Sequence, residues 1–344
     1  MSAARPHAAG DLPPERKLSW RRAALRIGIS AAVLTLLFAF IPLTEVLAAM
    51  NRLSLAVWGL ALISYLCLHL IGVMKWRLLV NAAGGGLGFA QAVRAYFAGL
   101  FGSTFLPSIV GGDVVRAGVA YRVVESKAGL IFGSLVDRML DFAGLAAVAG
   151  IGALLVPRAL EPQSRNIFLA VAATVLFVGL GAIALLVILR PRRFGFKVRR
   201  RMARVRIAMR AVSRRPGAVA AAFLSGMTLQ SLLVVLNAWL GTRAGIEIPL
   251  YVWLFVWPLA KMSGIAPTQN GIGVREAALV ALFIPFGVPA ELALAAGLMF
   301  EVVIITGGLA GGVLAFVIGR FDAARAHRAT ANVGLVSGRF FDRR

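Results

Sequence analysis

Long apolar runs, separated by short polar stretches, make up most of the chain. Stretches of about 20 apolar residues match the length a helix needs to cross ~30 Å of hydrocarbon, so the pattern predicts membrane helices and not a soluble core. Six full crossings are predicted, over about 24–42, 54–73, 129–156, 167–189, 217–241 and 293–319. Two further apolar regions, 91–128 and 250–290, are each broken in the middle by proline, glycine and charged residues. Irregular backbone at membrane depth survives only where protein or water satisfies its polar groups. Each region is therefore expected to be a re-entrant pair of half-helices that lines a cavity. The predicted fold class is an all-α integral membrane protein.

The two interruptions match each other. Setting "LPSIVGGDVVRAG" (Leu106–Gly118) over "APTQNGIGVREAA" (Ala266–Ala278) without gaps, at an offset of 160, pairs Pro107 with Pro267, Ser108 with Thr268, and Gly111 with Gly271. Val114 then meets Val274, Ala117 meets Ala277, and Arg116 falls opposite Glu276. The same register places Met139 over Met299 and Asp141 over Glu301 in the crossings that follow. Crossing, re-entrant pair and crossing thus recur over about 54–156 and 217–319, which predicts an inverted repeat with a site near midplane at the repeat interface. A pseudo-two-fold axis there is expected to bring Arg116 and Glu276 close together. Half-helix N-termini would present free N–H groups and partial positive charge, which suit an anion.

Composition agrees with the pattern. The chain is 60% hydrophobic and 15% charged, with mean hydropathy +0.85, whereas soluble domains carry roughly 25% charged residues. The net charge of +23 sits in particular loops. The arm over residues 1–22 is basic, rich in Pro and Ala, and expected to be disordered. The loop 190–215 holds twelve Arg or Lys and no acid, and the tail 321–344 is basic again. Alternate loops carry only Arg52, Arg158 with Arg165, and Arg243. Both termini and the 190–215 loop are therefore expected on the cytoplasmic side of the plasma (inner) membrane, flanking a membrane domain over 23–320. An amphipathic basic helix lying on anionic lipid headgroups accounts for the loop better than nucleic acid does.

Other chemistry is thin. Cys67, the single cysteine, lies in an apolar segment and permits no intramolecular disulfide. His7, His69 and His327 stand in no metal-ligand spacing, and there is no P-loop, so no metal or cofactor is expected. The run "IGISAAVLTLLFAFI" reads as a signal anchor, with a cleavage site near "VLAAM" at 46–50 as the alternative. Trp58, Trp239, Trp253 and Trp257, with Trp20 and Trp76 opposite, are expected to form interfacial aromatic belts. "GGLAGG" at 307–312 allows close helix packing.

The candidate site residues are the charged and flexible ones at the breaks. Gly111 and Gly112 permit close approach of either a ligand or a second helix. Asp113 can cap the helix that follows. Arg116 can fork onto a phosphate, or pair with Asp113 or Glu276. Asp137 and Asp141 share a helical face beside Arg138, either as an internal ion pair or as a ligand or proton-coupling site. Lys261, Gly271, Gly273, Arg275, Glu276 and Glu301 form the matching set in the second half. Gln269 and Asn270 can donate to headgroup oxygens or cap a half-helix.

With "LPSIVGGDVVRAG", "SLVDRMLDFAGL" and "APTQNGIGVREAALVALF" in this order, the chain resembles the flippase-like membrane domain of lysylphosphatidylglycerol synthases and their stand-alone relatives. The resemblance implies that Gly111, Gly112, Asp113, Arg116, Asp137, Arg138, Arg275 and Glu276 stand at family positions. It further implies that lipids, phospholipid or glycolipid, move between leaflets. No soluble aminoacyl-transferase domain follows residue 320, so the expectation is translocation and not synthesis. A structural or biogenesis partner of a lipid-synthesis enzyme is the main alternative, with homo-oligomers also open. A membrane-embedded transferase is disfavoured because the loop 190–215 contains no His, Asp, Glu or Cys.

Overall fold

Glycine and proline decide where this apolar chain stops being helical. The computed structural model describes residues 28, 31, 32 and 35, and then 43–106, 111–156, 196–263 and 271–341. Every regular element among them is a helix. In chain order these are α1 (Leu43–Asn51), α2 (Leu55–Ala82), α3 (Phe89–Phe105), α4 (Gly111–Ala120), α5 (Lys127–Leu155), α6 (Phe196–Ser213), α7 (Pro216–Ala244), α8 (Leu250–Ser263), α9 (Val274–Phe283) and α10 (Ala290–Phe341).

The helix ends follow local chemistry. Ser54 and Ser126 cap α2 and α5, accepting from the Val57 and Gly129 amides. Between α2 and α3 the chain reverses through Gly84 and Gly86, both at positive φ. Asn81 pins that turn, accepting from the Leu87 amide at 2.6 Å and donating to its carbonyl at 3.0 Å. α7 opens with Pro216 at its first turn and closes on Gly245 at φ 105°, where the Ile246 amide reaches back to the Gly241 carbonyl.

Among the described residues, four helices are long and apolar enough to cross a membrane: α2, α5, α7 and α10 as far as Phe321. They correspond to four of the six expected crossings. The expected crossing at 167–189 lies outside the described residues, and so does nearly all of the one at 24–42. The two interrupted regions each become two short helices, of 17 and 10 residues (α3, α4) and of 14 and 10 residues (α8, α9). At about 1.5 Å per residue a ten-residue helix spans about 15 Å, half the hydrocarbon thickness.

The order long, short, ten-residue, long is thus present twice, as α2–α5 and α7–α10. The packing repeats with it. α3 lies along α10 as α8 lies along α5; α3 meets α4 as α8 meets α9; and the two first helices, α2 and α7, pack on each other. Exchanging the halves leaves this pattern unchanged.

Small residues make the tight contacts. A Cβ on Gly112 of α4 would sit 2.5 Å from the Gly99 carbonyl oxygen of α3, and one on Gly152 of α5 would sit 2.4 Å from the Phe255 amide of α8. Along α10, Gly307 faces Tyr65 of α2, while Gly308, Gly311 and Gly312 face Thr104, Phe97 and Phe101 of α3. Of the two readings for Gly112, the structure shows helix-to-helix approach.

α6 carries the basic loop as a helix. Val205, Ala208, Met209 and Val212 pack on the end of α2 and the start of α5, while Arg200, Arg204 and Arg210 are exposed. The aromatic belts need correction. Trp76, Trp253 and Trp257 are fully buried in the core, because their ring area is better used between helices than at a lipid boundary.

Two glycines of α4 make opposite predictions. Gly112→Ala is expected to lower the melting temperature of the detergent-solubilised protein by several degrees, since backbone must move to admit the methyl group. A Cβ at Gly118 meets nothing within 4 Å, so Gly118→Ala should leave melting unchanged or raise it. Equal behaviour of the two variants would contradict the close α3–α4 contact.

Candidate functional site

α5 crosses the core with charges on it. Its "VDRMLD" segment puts Asp137 and Asp141 one turn apart, with Arg138 beside them. An isolated charge is costly at this depth, so each requires a partner. Lys75 of α2 supplies one, with its ammonium 2.8 Å from Asp137 and 2.5 Å from Asp141. Arg116 of α4 reaches Asp137 at 3.1 Å and Asp113 at 3.0 Å, and Arg138 pairs with the other oxygen of Asp113. The result is an unbranched chain of alternating charge: Asp141, Lys75, Asp137, Arg116, Asp113, Arg138. It ties α2, α4 and α5 together. Asp137 is 1% exposed and Lys75 2% exposed, so the middle of the chain is dry. The Arg116 guanidinium also lies over Trp76, 4.7 Å from the ring centroid, and near Tyr96 at 5.4 Å.

The second half repeats the device in shorter form. Gly271 and Gly273 take φ +83° and +88°, values open to glycine, and set up the start of α9. Glu276 accepts from the Gly273 amide at 2.6 Å and from the Arg275 guanidinium at 2.6 Å. Arg275 also pairs with Glu301 of α10. As with Arg116 and Asp137, an arginine on a ten-residue helix is thus held by a carboxylate on the long helix that follows.

Between the halves lies a cavity of about 260 Å³ to which all eight helices contribute side chains. Gly112, Asp113, Arg116, Arg138, Asp141, Lys261, Gly271 and Arg275 reach its wall. Asp137, Glu276 and Glu301 do not line it; they stand behind the wall and hold its cations. Gly111 and Gly273 are backbone positions at the starts of α4 and α9. Asn270 and Gln269 lie outside the described residues, as do Ser108 and Thr268.

Three expectations are corrected. The pair between Arg116 and Glu276 is not formed, since each is engaged within its own half. In its pairing with the long helix that follows, Arg116 is matched by Arg275 and not by Glu276, its ungapped partner. Asp113 does not stand before its helix as a cap; α4 begins at Gly111, and Asp113 is occupied by Arg116 and Arg138. Lys261 does not join Arg275 and the two glutamates. Its ammonium donates to Gln230 of α7 at 2.9 Å, and among the described residues no carboxylate lies within 4.0 Å of it.

Sequence reasoning missed Lys75, Gln230, Tyr65, His69 and Tyr96. Lys75 falls just past the expected end of its crossing at residue 73 and reads as a loop cation. The available signal was "RLLV", residues 77–80, which keeps the helix apolar beyond it to Ala82. His69, on the cavity wall, exchanges a hydrogen bond with the Tyr96 hydroxyl at 3.2 Å through Nδ1, while its buried Nε2 has no partner among the described residues.

Comparison with known proteins places these features. A family model described as the lysylphosphatidylglycerol synthase TM region matches residues 23–312. A "UPF0104 membrane protein" from Methanothermobacter thermautotrophicus is 24% identical over 127 residues, covering 37% of this chain and 36% of that protein. No solved structure matches.

The charge chain predicts non-additive energetics. Lys75→Met leaves Asp141 without its cation and Asp137 with Arg116 alone, and Asp141→Asn removes one partner of Lys75. Breaking one side of a buried pair costs about 3–5 kcal/mol. Each single variant is expected to melt markedly lower, and the double variant to lose clearly less than the sum, read by thermal unfolding in detergent. Strict additivity would contradict the linkage.

Proposed function

Because the chain belongs to the family of the lysylphosphatidylglycerol synthase transmembrane region, we propose that this multi-pass membrane protein is a lipid translocase. It passes a lipid headgroup between leaflets through the cavity between its two halves, while the acyl chains stay in the bilayer. The observation that carries this reading is the cavity wall, where Asp113, Arg116, Arg138 and Asp141 of the first half meet Lys261 and Arg275 of the second. A phosphate crossing the bilayer needs such a site, because exposed charge in hydrocarbon is otherwise prohibitive.

On this reading the halves are an inverted repeat, and the two ten-residue helices enter from opposite faces. Rocking of one half against the other along the glycine-lined contacts, α3 with α10 and α5 with α8, opens the cavity to alternate sides. The basic face of α6 and both termini lie at the cytoplasmic side of the plasma membrane. No step forms or breaks a covalent bond, so the protein acts as a carrier and not an enzyme.

Transport is tested in proteoliposomes with a short-chain fluorescent phospholipid and a dithionite readout of leaflet position. Wild type is expected to speed movement well above protein-free vesicles. Arg138→Ala and Lys261→Ala should slow it at least tenfold while still eluting as folded protein. Movement no faster than in empty vesicles would point to the alternative role, as a partner of a membrane lipid enzyme.

Orientation is tested in a Cys67→Ala background, which removes the single native thiol. Exposed Arg122 follows α4 and exposed Ile284 follows α9, at equivalent ends of the two halves. With membrane-impermeant maleimide, Ile284→Cys should label in intact cells and Arg122→Cys only in inverted vesicles. Labelling of both from one side would overturn the inversion.

A further inference from the structure

We propose that the face of α6 turned away from the bundle is a docking surface for the anionic headgroups of the surrounding bilayer, with Ile207 set among the headgroups and arginines on either side of it. The inference goes beyond the translocase reading and does not depend on what the cavity carries.

α6 has two faces of opposite character. Val205, Ala208, Met209 and Val212 recur at helical spacing and pack on the bundle. On the other side Arg200, Arg204, Ile207, Arg210 and Arg214 follow the same spacing, and all five are exposed. Arg214 stays on this face just past the end of the helix, its amide donating to the Arg210 carbonyl at 3.2 Å. Ile207, 67% exposed, is a large apolar side chain in the middle of a basic face. Such a face suits the headgroup boundary: the isoleucine and the arginine stems enter the apolar margin, while the guanidinium groups stay among the phosphates.

The packing of α6 sets its depth. Its apolar face meets Phe132 and Val136 in the second and third turns of α5, Ala82 and Ala83 at the end of α2, and Ala218 and Val219 in the first turn of α7. The helix therefore lies against the flank of the bundle where the crossings begin, and does not stand off from it as a free arm. Its opposite face looks into the headgroup layer around the protein.

Charge fixes the class of partner. Residues 190–215 carry twelve Arg or Lys and no acid, so no carboxylate of the segment itself competes for these arginines. The turn before α5, on which α6 packs, adds exposed Arg122 and Lys127 against Glu125. A guanidinium forks onto a phosphate, and each arginine beside an anionic leaflet strengthens binding about fivefold. A soluble polyanion would match the charge equally well, but it would leave Ile207 in water and would not explain a helix laid along the flank of the crossings.

The test uses full-length protein in lipid nanodiscs, with a nitroxide label at Ile207→Cys in the Cys67→Ala background. Ala203→Cys, also exposed on α6, is the second probe. The measurement is the label's accessibility to oxygen, which concentrates in lipid, against a water-soluble nickel chelate. In phosphatidylcholine discs containing phosphatidylglycerol, both labels are expected to be shielded from the chelate; in pure phosphatidylcholine they should shift towards water. Arg200→Gln, Arg204→Gln and Arg210→Gln should each lower the ratio of shielded to water-exposed label about fivefold in the anionic discs. Raising salt from about 0.1 M to about 1 M, which shortens the screening length from about 10 Å to about 3 Å, should act in the same direction. Labels equally shielded in both lipids would overturn the proposal, since apolar contact alone would then hold the helix. Labels equally exposed to water in both would overturn it too, and shielding on addition of poly-glutamate or a DNA duplex would then assign the face to a soluble polyanion. The comparison of the two lipids decides without any arginine variant, and no outcome bears on transport through the cavity.

Discussion

A charge inside a membrane protein must have a partner, and the internal arrangement of this chain follows from that requirement. Asp141, Lys75, Asp137, Arg116, Asp113 and Arg138 neutralise one another in series, and removing Lys75 or Asp113 strands the end of the series beyond it. The series runs between a long helix, a ten-residue helix and another long helix, so it fixes how they sit. In the second half Arg275 plays the part of Arg116, held by Glu276 and Glu301. Such pairs add little net stability against an apolar replacement, but they are severe on misassembly, because any other packing leaves buried charge unpaired.

The glycines act in the same direction by a different force. Without polar driving force between apolar helices, association in lipid depends on close van der Waals contact. Gly99 and Gly112 bring α3 onto α4, Gly152 brings α5 onto α8, and the glycines of α10 accept Tyr65, Phe97 and Phe101. Contacts made by backbone and ring faces can slide more readily than interlocked branched side chains. The charge clusters lie within each half, while the contacts of α5 with α8 and of α10 with α2 and α3 join the halves through glycine.

The cavity lies where these two systems meet. Arg116 and Arg275 are positioned from behind by Asp137, Glu276 and Glu301, which do not face it. Lys261, His69 Nε2 and Arg116 Nε are groups there whose hydrogen-bonding capacity the described residues leave incomplete. Lys75 is engaged by two carboxylates, whereas Lys261 has none within 4.0 Å among the described residues.

Much of this was legible in the sequence. Apolar run length identified membrane helices, and proline and glycine at 107–112 and 264–273 marked the interrupted segments, because no side-chain contact is needed to stop a helix. The fixed offset showed that the chain contains the same plan twice. Partner choice was not legible. Arg116 was matched to Glu276 by counting, but it is Arg275, one residue earlier, that pairs with the long helix that follows, as Arg116 does. Lys75 read as a loop cation, and Trp76, Trp253 and Trp257 read as interfacial, since linear distance from a crossing's end was the available measure. Which side of a helix faces a neighbour, and which neighbour, depends on how eight helices share one interior. Only the tertiary structure decides that, because desolvation penalises a charge or an indole according to what surrounds it and not according to its place in the chain.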